Sequence, residues 1–146
     1  MSKPKFILDV HLGKLARHLR MLGFDTIYEN DCTDPQIVNI AQAEKRAVLT
    51  RDTELLKIKA IEEGYLIKSK NHLKQLAEVT LRFDLASRIR PFSRCIVCNG
   101  VVEKVEKEAV ICKLPQKTRL YYEEFFQCKS CERVYWKGSH YIKMNR

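Results

Sequence analysis

Two Cys-x-x-Cys pairs, Cys95-Ile96-Val97-Cys98 and Cys128-Lys129-Ser130-Cys131, constrain the folding of this chain more than any other feature. Each turn aims two thiolates at one point. Two turns complete a tetrahedral shell of four sulfurs, which suits Zn²⁺ or iron and not a hard cation. Four cysteines leave no open coordination position, so the expected zinc is structural and not catalytic. The redox reading of such a pair is weaker, because neither sits between a strand and a long helix. The 29 residues between the pairs exceed the usual spacing, which predicts an excursion of the chain. About fifty residues of short apolar runs would struggle to fold on burial alone, whereas a structural zinc supplies on the order of 10 kcal/mol. Val101-Val102, Val105, Ala109-Val110-Ile111, Phe125-Phe126 and Val134-Tyr135-Trp136 are the strand candidates there, and no helix is expected. Cys32 and Cys112 stand apart and read as small apolar fillers.

Upstream the grammar differs. Lys5-Phe6-Ile7-Leu8-Asp9 is an apolar run that stops on a carboxylate. Leu12, Leu15, Ala16, Leu19 and Leu22 then recur at helical spacing, so residues 10–22 should be a helix ended by Gly23. Phe24 to Tyr28 reads as a second strand and Glu29 to Thr33 as a turn. Asp34-Pro35 reads as an N-cap followed by proline in the first helical turn. Ala47-Val48-Leu49-Thr50 is a third strand, again stopping on charge at Arg51-Asp52. A helix from Thr53 closed by Gly64, a strand over residues 65–68 and a helix capped by Asn71 follow. Strand alternating with helix is the signature of an α/β domain with a mostly parallel sheet, here residues 1–85. Residues 86–94 read as a linker and 95–146 as the cysteine-bearing part with a C-terminal extension.

In a parallel sheet the carboxyl ends of the strands gather on one edge, and ligands bind there. Asp9 and Asp52 would meet on that edge. Two carboxylates about 4 Å apart repel by roughly 4 kcal/mol at an effective dielectric of 20, a penalty that a divalent cation removes. Mg²⁺ or Mn²⁺ takes oxygen ligands, keeps waters and activates one toward a phosphodiester. Asp31 and Asp34 are the candidates for a third acid. Asp34 also reads as a helix cap, and Asp31 as a turn residue. Thr50 and Arg51 are placed to orient a ligand or contact a phosphate. Lys14, Arg17, His18 and Arg20 give the first helix a basic side beginning within two turns of Asp9.

The formal charge is +9, from 27 Lys plus Arg against 18 Asp plus Glu. Four thiolates and a zinc ion leave it positive, which favours a polyanionic partner, most simply nucleic acid. No apolar run reaches the roughly 20 residues of a membrane helix, and the first residues lack a signal-peptide pattern. The cytoplasm is the expected compartment, where a disulfide framework would be out of place.

Leu8-Asp9, Leu12-Gly13-Lys14-Leu15-Ala16-Arg17, Leu19-Arg20, Gly23-Phe24-Asp25, Leu49-Thr50-Arg51-Asp52, Arg94-Cys95-Ile96-Val97-Cys98-Asn99-Gly100 and Tyr135-Trp136-Lys137-Gly138-Ser139-His140 stand together in one chain. In combination they resemble the PIN-like ribonuclease family named after the C-terminal domain of the nematode mutator exonuclease, from Phe6 to about Met144. The resemblance implies a PIN-like three-layer α/β fold with a C-terminal zinc ribbon, and metal-dependent cleavage of RNA by an acidic cluster. It would make Asp9 and Asp52 ligands of Mg or Mn. Glu132 follows the second cysteine pair where the family tends to have glycine, a departure that bears on the turn.

The reading that results is a cytoplasmic, endonucleolytic ribonuclease. Asp9, Asp52 and Asp31 or Asp34 would form its acidic cluster, and Lys14, Arg17, Arg20 and Arg51 would hold phosphates. The basic ribbon, with Tyr135, Trp136, Lys137 and His140, would add RNA affinity by charge or by base stacking, while the two aromatics read first as ribbon core. The alternative is a non-catalytic RNA-binding or ribosome-associated zinc-ribbon module. A toxin of a toxin and antitoxin pair would share the same chemistry.

Overall fold

The computed structural model describes residues 3–138. Its first sheet is built from the short apolar runs. β1 (Phe6–Leu8), β2 (Thr26–Ile27), β3 (Ala47–Thr50) and β4 (Gly64–Leu66) lie in the order β2-β1-β3-β4, every pairing parallel. Successive side chains of a strand point to opposite faces, and these runs supply apolar groups to both. Phe6, Leu8, Ala47 and Leu49 pack with Leu15, Leu19 and Val79 from α1 (Gly13–Met21) and α4 (His72–Phe83). Ile7 and Val48 pack on the other face with Ile37, Ala41 and Leu55 from α2 (Asp34–Glu44) and α3 (Thr53–Leu56). The result is a three-layer α/β arrangement.

Helix ends follow local chemistry, with three departures from the sequence reading. Thr33, not Asp34, caps α2: its hydroxyl accepts from the Gln36 amide while the Gln36 side chain accepts from the Thr33 amide. That reciprocal pair satisfies two otherwise orphaned donors and puts Asp34 inside the first turn. α3 stops after one turn at Leu56, and Gly64 opens β4 instead of closing the helix. A Cβ at Gly64 would lie 2.5 Å from Leu56 Cδ2, so a larger residue there would oblige the Leu56 side chain to shift. Gly23 does end α1: its φ is +97°, and a Cβ there would sit 2.3 Å from the Arg90 carbonyl oxygen. Asn71 caps α4 through the amides of Leu73 and Lys74.

Residues 86–94 hold a 3₁₀ turn at Ala86–Arg88 and tie back to α1 through the Arg90 amide and the Leu22 carbonyl. Beyond them, β5 (Val102–Val105), β6 (Phe125–Cys128) and β7 (Val134–Tyr135) form an antiparallel sheet in that order. The long excursion is helical, not extended. Ala109-Val110-Ile111, expected as a strand, belongs to α5 (Lys107–Val110) and the 3₁₀ turn Ile111–Lys113, and α6 (Gln116–Tyr121) follows. Val110 and Leu114 are buried against Phe125, and this contact decides the conformation of a segment too short for helical periodicity to show. Among the described residues no helix is long and apolar enough to cross a membrane.

Candidate active site and four-cysteine centre

The chain leaves β1 toward β2 on one side, while β3 lies on the other. β1 and β3 therefore flank the topological switch point of the sheet, where a crevice opens at the carboxyl edge. Asp9 follows β1 and its amide bonds the Leu49 carbonyl, which brings it level with Thr50 at the end of β3. Asp9 Oδ2 accepts from the Thr50 hydroxyl at 2.8 Å, and Oδ1 accepts from the Val10 amide at 2.8 Å. The same Thr50 oxygen accepts from the Asp52 amide at 2.9 Å. Asp52 caps α3 through Oδ1 and the Glu54 amide. Thr50, fully buried, is thus a bridge between two carboxylate-bearing turns, with Asp52 exposed to solvent. His11, two residues past Asp9, is exposed with φ +79°, a conformation that L residues rarely adopt.

Both oxygens of Asp9 keep a lone pair beyond these bonds, and Asp52 has a second oxygen. Such a donor set fits a hard cation completed by water. The turn after β2 adds charge nearby. Burial, and then the carboxylates of Glu29, Asp31 and Asp9 in that order, push the half-buried Cys32 thiol up. Glu29, Asp31 and Asp9 therefore all act on one point, and Glu29 joins the candidates that the sequence reading had named. Asp31 and Asp34 are both exposed, with Asp34 one residue into α2. Among the described residues, only the four cysteines form a group of three or more potential ligand atoms that all lie within 4.8 Å of one another.

The basic side of α1 divides. Lys14 is exposed at the start of the helix, at the carboxyl edge, Arg17 is exposed midway along it, and Arg51 is exposed beside Thr50. Arg20 is at the opposite end and is only 7% exposed. Its Nε donates to the Thr26 carbonyl and its Nη1 to the carbonyls of Ile96 and Val97, so it holds the first cysteine turn and does not face a phosphate. His18 is likewise buried, against the His72 ring. Lys137 lies 3.8 Å from Glu124, and His140 falls outside the described residues.

Around Arg20 lies a joint that the sequence did not announce. Asn99 accepts from the Thr26 amide at 2.9 Å and donates to Asp25 Oδ1 at 2.7 Å. Asp25 Oδ1 also accepts from Arg46 Nη1 at 2.8 Å, and Arg94 approaches Oδ2 at 3.6 Å. Burial opposes the charge on Asp25. Hydrogen bonds from Arg46 and Asn99, with the charges of Arg46 and Arg94, outweigh it and hold the carboxyl below its usual range. Asp25 and Arg46 precede β2 and β3, so this joint occupies the amino edge of the sheet, opposite Asp9 and Asp52.

The cysteines meet as their spacing required. Cys95 and Cys131 Sγ are 3.7 Å apart and Cys98 and Cys128 Sγ 3.5 Å, with all four within 4.8 Å. A tetrahedral zinc with Zn–S bonds of about 2.3 Å needs sulfurs roughly 3.8 Å apart, so the four fit the ion. The two turns repeat one geometry. In each, the residue after the second cysteine has positive φ, Asn99 at 66° and Glu132 at 65°, and its amide bonds the carbonyl of the first cysteine. The Tyr135 hydroxyl lies 2.9 Å from Cys95 Sγ and accepts from the Ile96 amide. Burial alone would raise the Cys95 thiol. The Tyr135 hydroxyl and the amides of Cys98 and Val97 outweigh it and lower the value to about 6, while Cys98, raised first by burial, is pushed up to about 12. Four thiolates crowded this closely repel one another, and a divalent cation is what permits them together. Tyr135, whose first reading from sequence is ribbon core, is a hydrogen-bond partner of the cysteine cluster.

A parallel α/β sheet with carboxylates at its switch point, joined through buried polar groups to a four-cysteine centre, defines the class of protein. The chain belongs to the Mut7-C RNAse domain family, which it matches over residues 4–146. No curated protein and no solved structure matches it.

Proposed function

We propose that this chain is a metal-dependent ribonuclease of PIN-like fold that cuts RNA internally at the carboxyl edge of its parallel sheet. The observation that carries the proposal is the Asp9–Thr50–Asp52 bridge at the switch point, in a chain of an RNase-domain family. Asp9 and Asp52 would hold Mg²⁺ or Mn²⁺, which when bound would activate a water and steady the leaving oxygen. Thr50 orients the Asp9 carboxylate from within the core. Glu29 and Asp31 both share the Cys32 neighbourhood with Asp9, and either would serve as the third acid. Lys14, Arg17 and Arg51 stand exposed on that side to take phosphates of the strand. The four-cysteine centre takes no chemical part in this scheme: a structural zinc there would shape the ribbon and, through Asn99 and Arg20, its seat on the sheet.

The test is cleavage of RNA by the zinc-loaded chain with Mn²⁺ or Mg²⁺, wild type against Asp9→Asn and Asp52→Asn. Cleavage that survives both substitutions, or a folded, metal-loaded wild type that cuts nothing, defeats the proposal. The second outcome with RNA still bound would favour a non-catalytic RNA-binding module.

A further inference from the structure

A cavity of about 620 Å³ opens between the end of β7, α6 and the segment that leads into Cys95. Its walls include the rings of Phe92, Tyr121, Tyr122 and Trp136, with Arg94 and Lys117 also lining it. Among the described residues no aspartate or glutamate lines it. Flat aromatic walls with cations and no carboxylate suit a ligand that is planar, apolar on its faces and anionic at its rim. A nucleotide with its base unstacked has that chemistry, and an acidic or purely aliphatic peptide does not. The walls are also unevenly committed. Arg94 is engaged with Asp25 and the Asn99 carbonyl, whereas Lys117 makes no ion pair among the described residues. Tyr121 is 76% exposed, an aromatic face that the fold itself leaves uncovered.

We infer that this cavity binds unstacked bases of a single-stranded RNA, with Trp136 and Tyr121 as stacking faces and Lys117 on the phosphate. The inference rests on RNA being the substrate, as proposed above, and adds a second place where RNA is held. That place is on the cysteine-bearing part, which seats at the amino edge of the sheet, away from Asp9 and Asp52. A strand anchored there would have to cross the flank of the molecule to reach the acids, so the chain would require an unpaired segment offset from the bond it cuts.

Trp136 is the only tryptophan of the chain and reports on the cavity directly. The full chain, zinc-loaded and carrying Asp9→Asn to keep RNA intact, is titrated with single-stranded oligoadenylate and oligouridylate while Trp136 emission is followed. Saturable quenching is expected. Tyr121→Ala, at an exposed position that the fold does not need, should weaken binding roughly 5- to 100-fold. Lys117→Gln should lower the slope of log affinity against log salt by about 1. RNA that binds by filter retention with unchanged Trp136 emission, or with undiminished affinity for the Tyr121→Ala chain, overturns the inference. So does a Trp136 already shielded from acrylamide without RNA, which would mean that the protein fills the cavity itself. Cleavage by wild type with a silent Trp136 rejects the base site and keeps the nuclease; quenching without any cleavage does the reverse.

Discussion

Replacing Thr50 by valine tests whether the bridge at the carboxyl edge is functional or merely packed. The side chain is fully buried, so the change keeps its shape and deletes one hydroxyl. Asp9 Oδ2 then loses a hydrogen bond to a charged group, worth about 1.5–3 kcal/mol. The Asp52 amide loses its acceptor too, but Asp52 is exposed and water can replace it at a cost of about 0.5 kcal/mol. A total destabilisation of about 2–3.5 kcal/mol follows, read from urea unfolding of the zinc-loaded protein. The Asp9 carboxylate also loses the group that fixes its rotamer. Loss of such an outer partner typically lowers metal affinity or activity about 10- to 100-fold, so initial cleavage rates across a Mn²⁺ titration should fall by that factor. Thr50→Ser keeps the oxygen and should recover most of the rate. Wild-type cleavage by Thr50→Val at limiting Mn²⁺, or a serine variant as impaired as the valine one, would refute the reasoning.

Three further outcomes are expected. Chelation of zinc should unfold the ribbon, leave the parallel sheet, and speed hydrogen exchange at the Thr26 amide, whose acceptor is Asn99; unchanged Thr26 protection after verified metal loss counts against the joint. Glu132→Gly should stabilise the zinc-loaded protein by about 1 kcal/mol in urea, because a β-carbon in the left-handed conformation costs roughly that much. For Asp25, the folded carboxyl is held below its ordinary value, so its contribution is present above about pH 3.9 and lost as pH falls through the lower folded value. The stability gap between wild type and Asp25→Asn should therefore hold from about pH 5 to 8 and shrink below about pH 4, and a gap that closes near neutrality contradicts the assignment.

The parallel sheet was legible because its central strands β1 and β3 are buried on both faces, so their residues are apolar without alternation, and because a charge follows each of these two runs. Phe6-Ile7-Leu8 before Asp9 and Ala47-Val48-Leu49-Thr50 before Arg51 carry that signal in four or five residues. The cysteine centre was legible from spacing alone. Arg20 was not. On a helix projection it is one turn from Arg17, and only the carbonyls of Ile96 and Val97, more than 70 residues away, decide that it is buried. α5 and α6 were hidden for a similar reason: four and six residues make fewer than two turns, too few for an apolar repeat to show, and the apolar run at Ala109 to Ile111 favours extended chain until Phe125 packs against it. The Thr33 cap could have been read, since Gln36 stands three residues after it, but the adjacent Asp34-Pro35 offers an equally ordinary cap and obscures it.

The residues that make the chain resemble its family sort by edge of the sheet. Asp9, Thr50 and Asp52 gather at the carboxyl edge, where solvent reaches Asp52 and its second oxygen remains available. Arg20, Asp25, Arg94 and Asn99 gather at the amino edge, saturated by one another and by backbone carbonyls. A saturated, half-buried set offers little to a ligand, whereas breaking one member exposes a buried charge or amide to a loss of several kcal/mol. The motif residues at the amino edge are therefore best understood as a hinge-free seat for the ribbon. This division also locates where substitution should do what: changes at the amino edge lower stability and zinc retention together, and changes at the carboxyl edge lower cleavage with the ribbon intact. A variant of Asn99 that kept its zinc and its stability but lost cleavage would break the division, since its side chain hydrogen-bonds Thr26 and Asp25 at the amino edge.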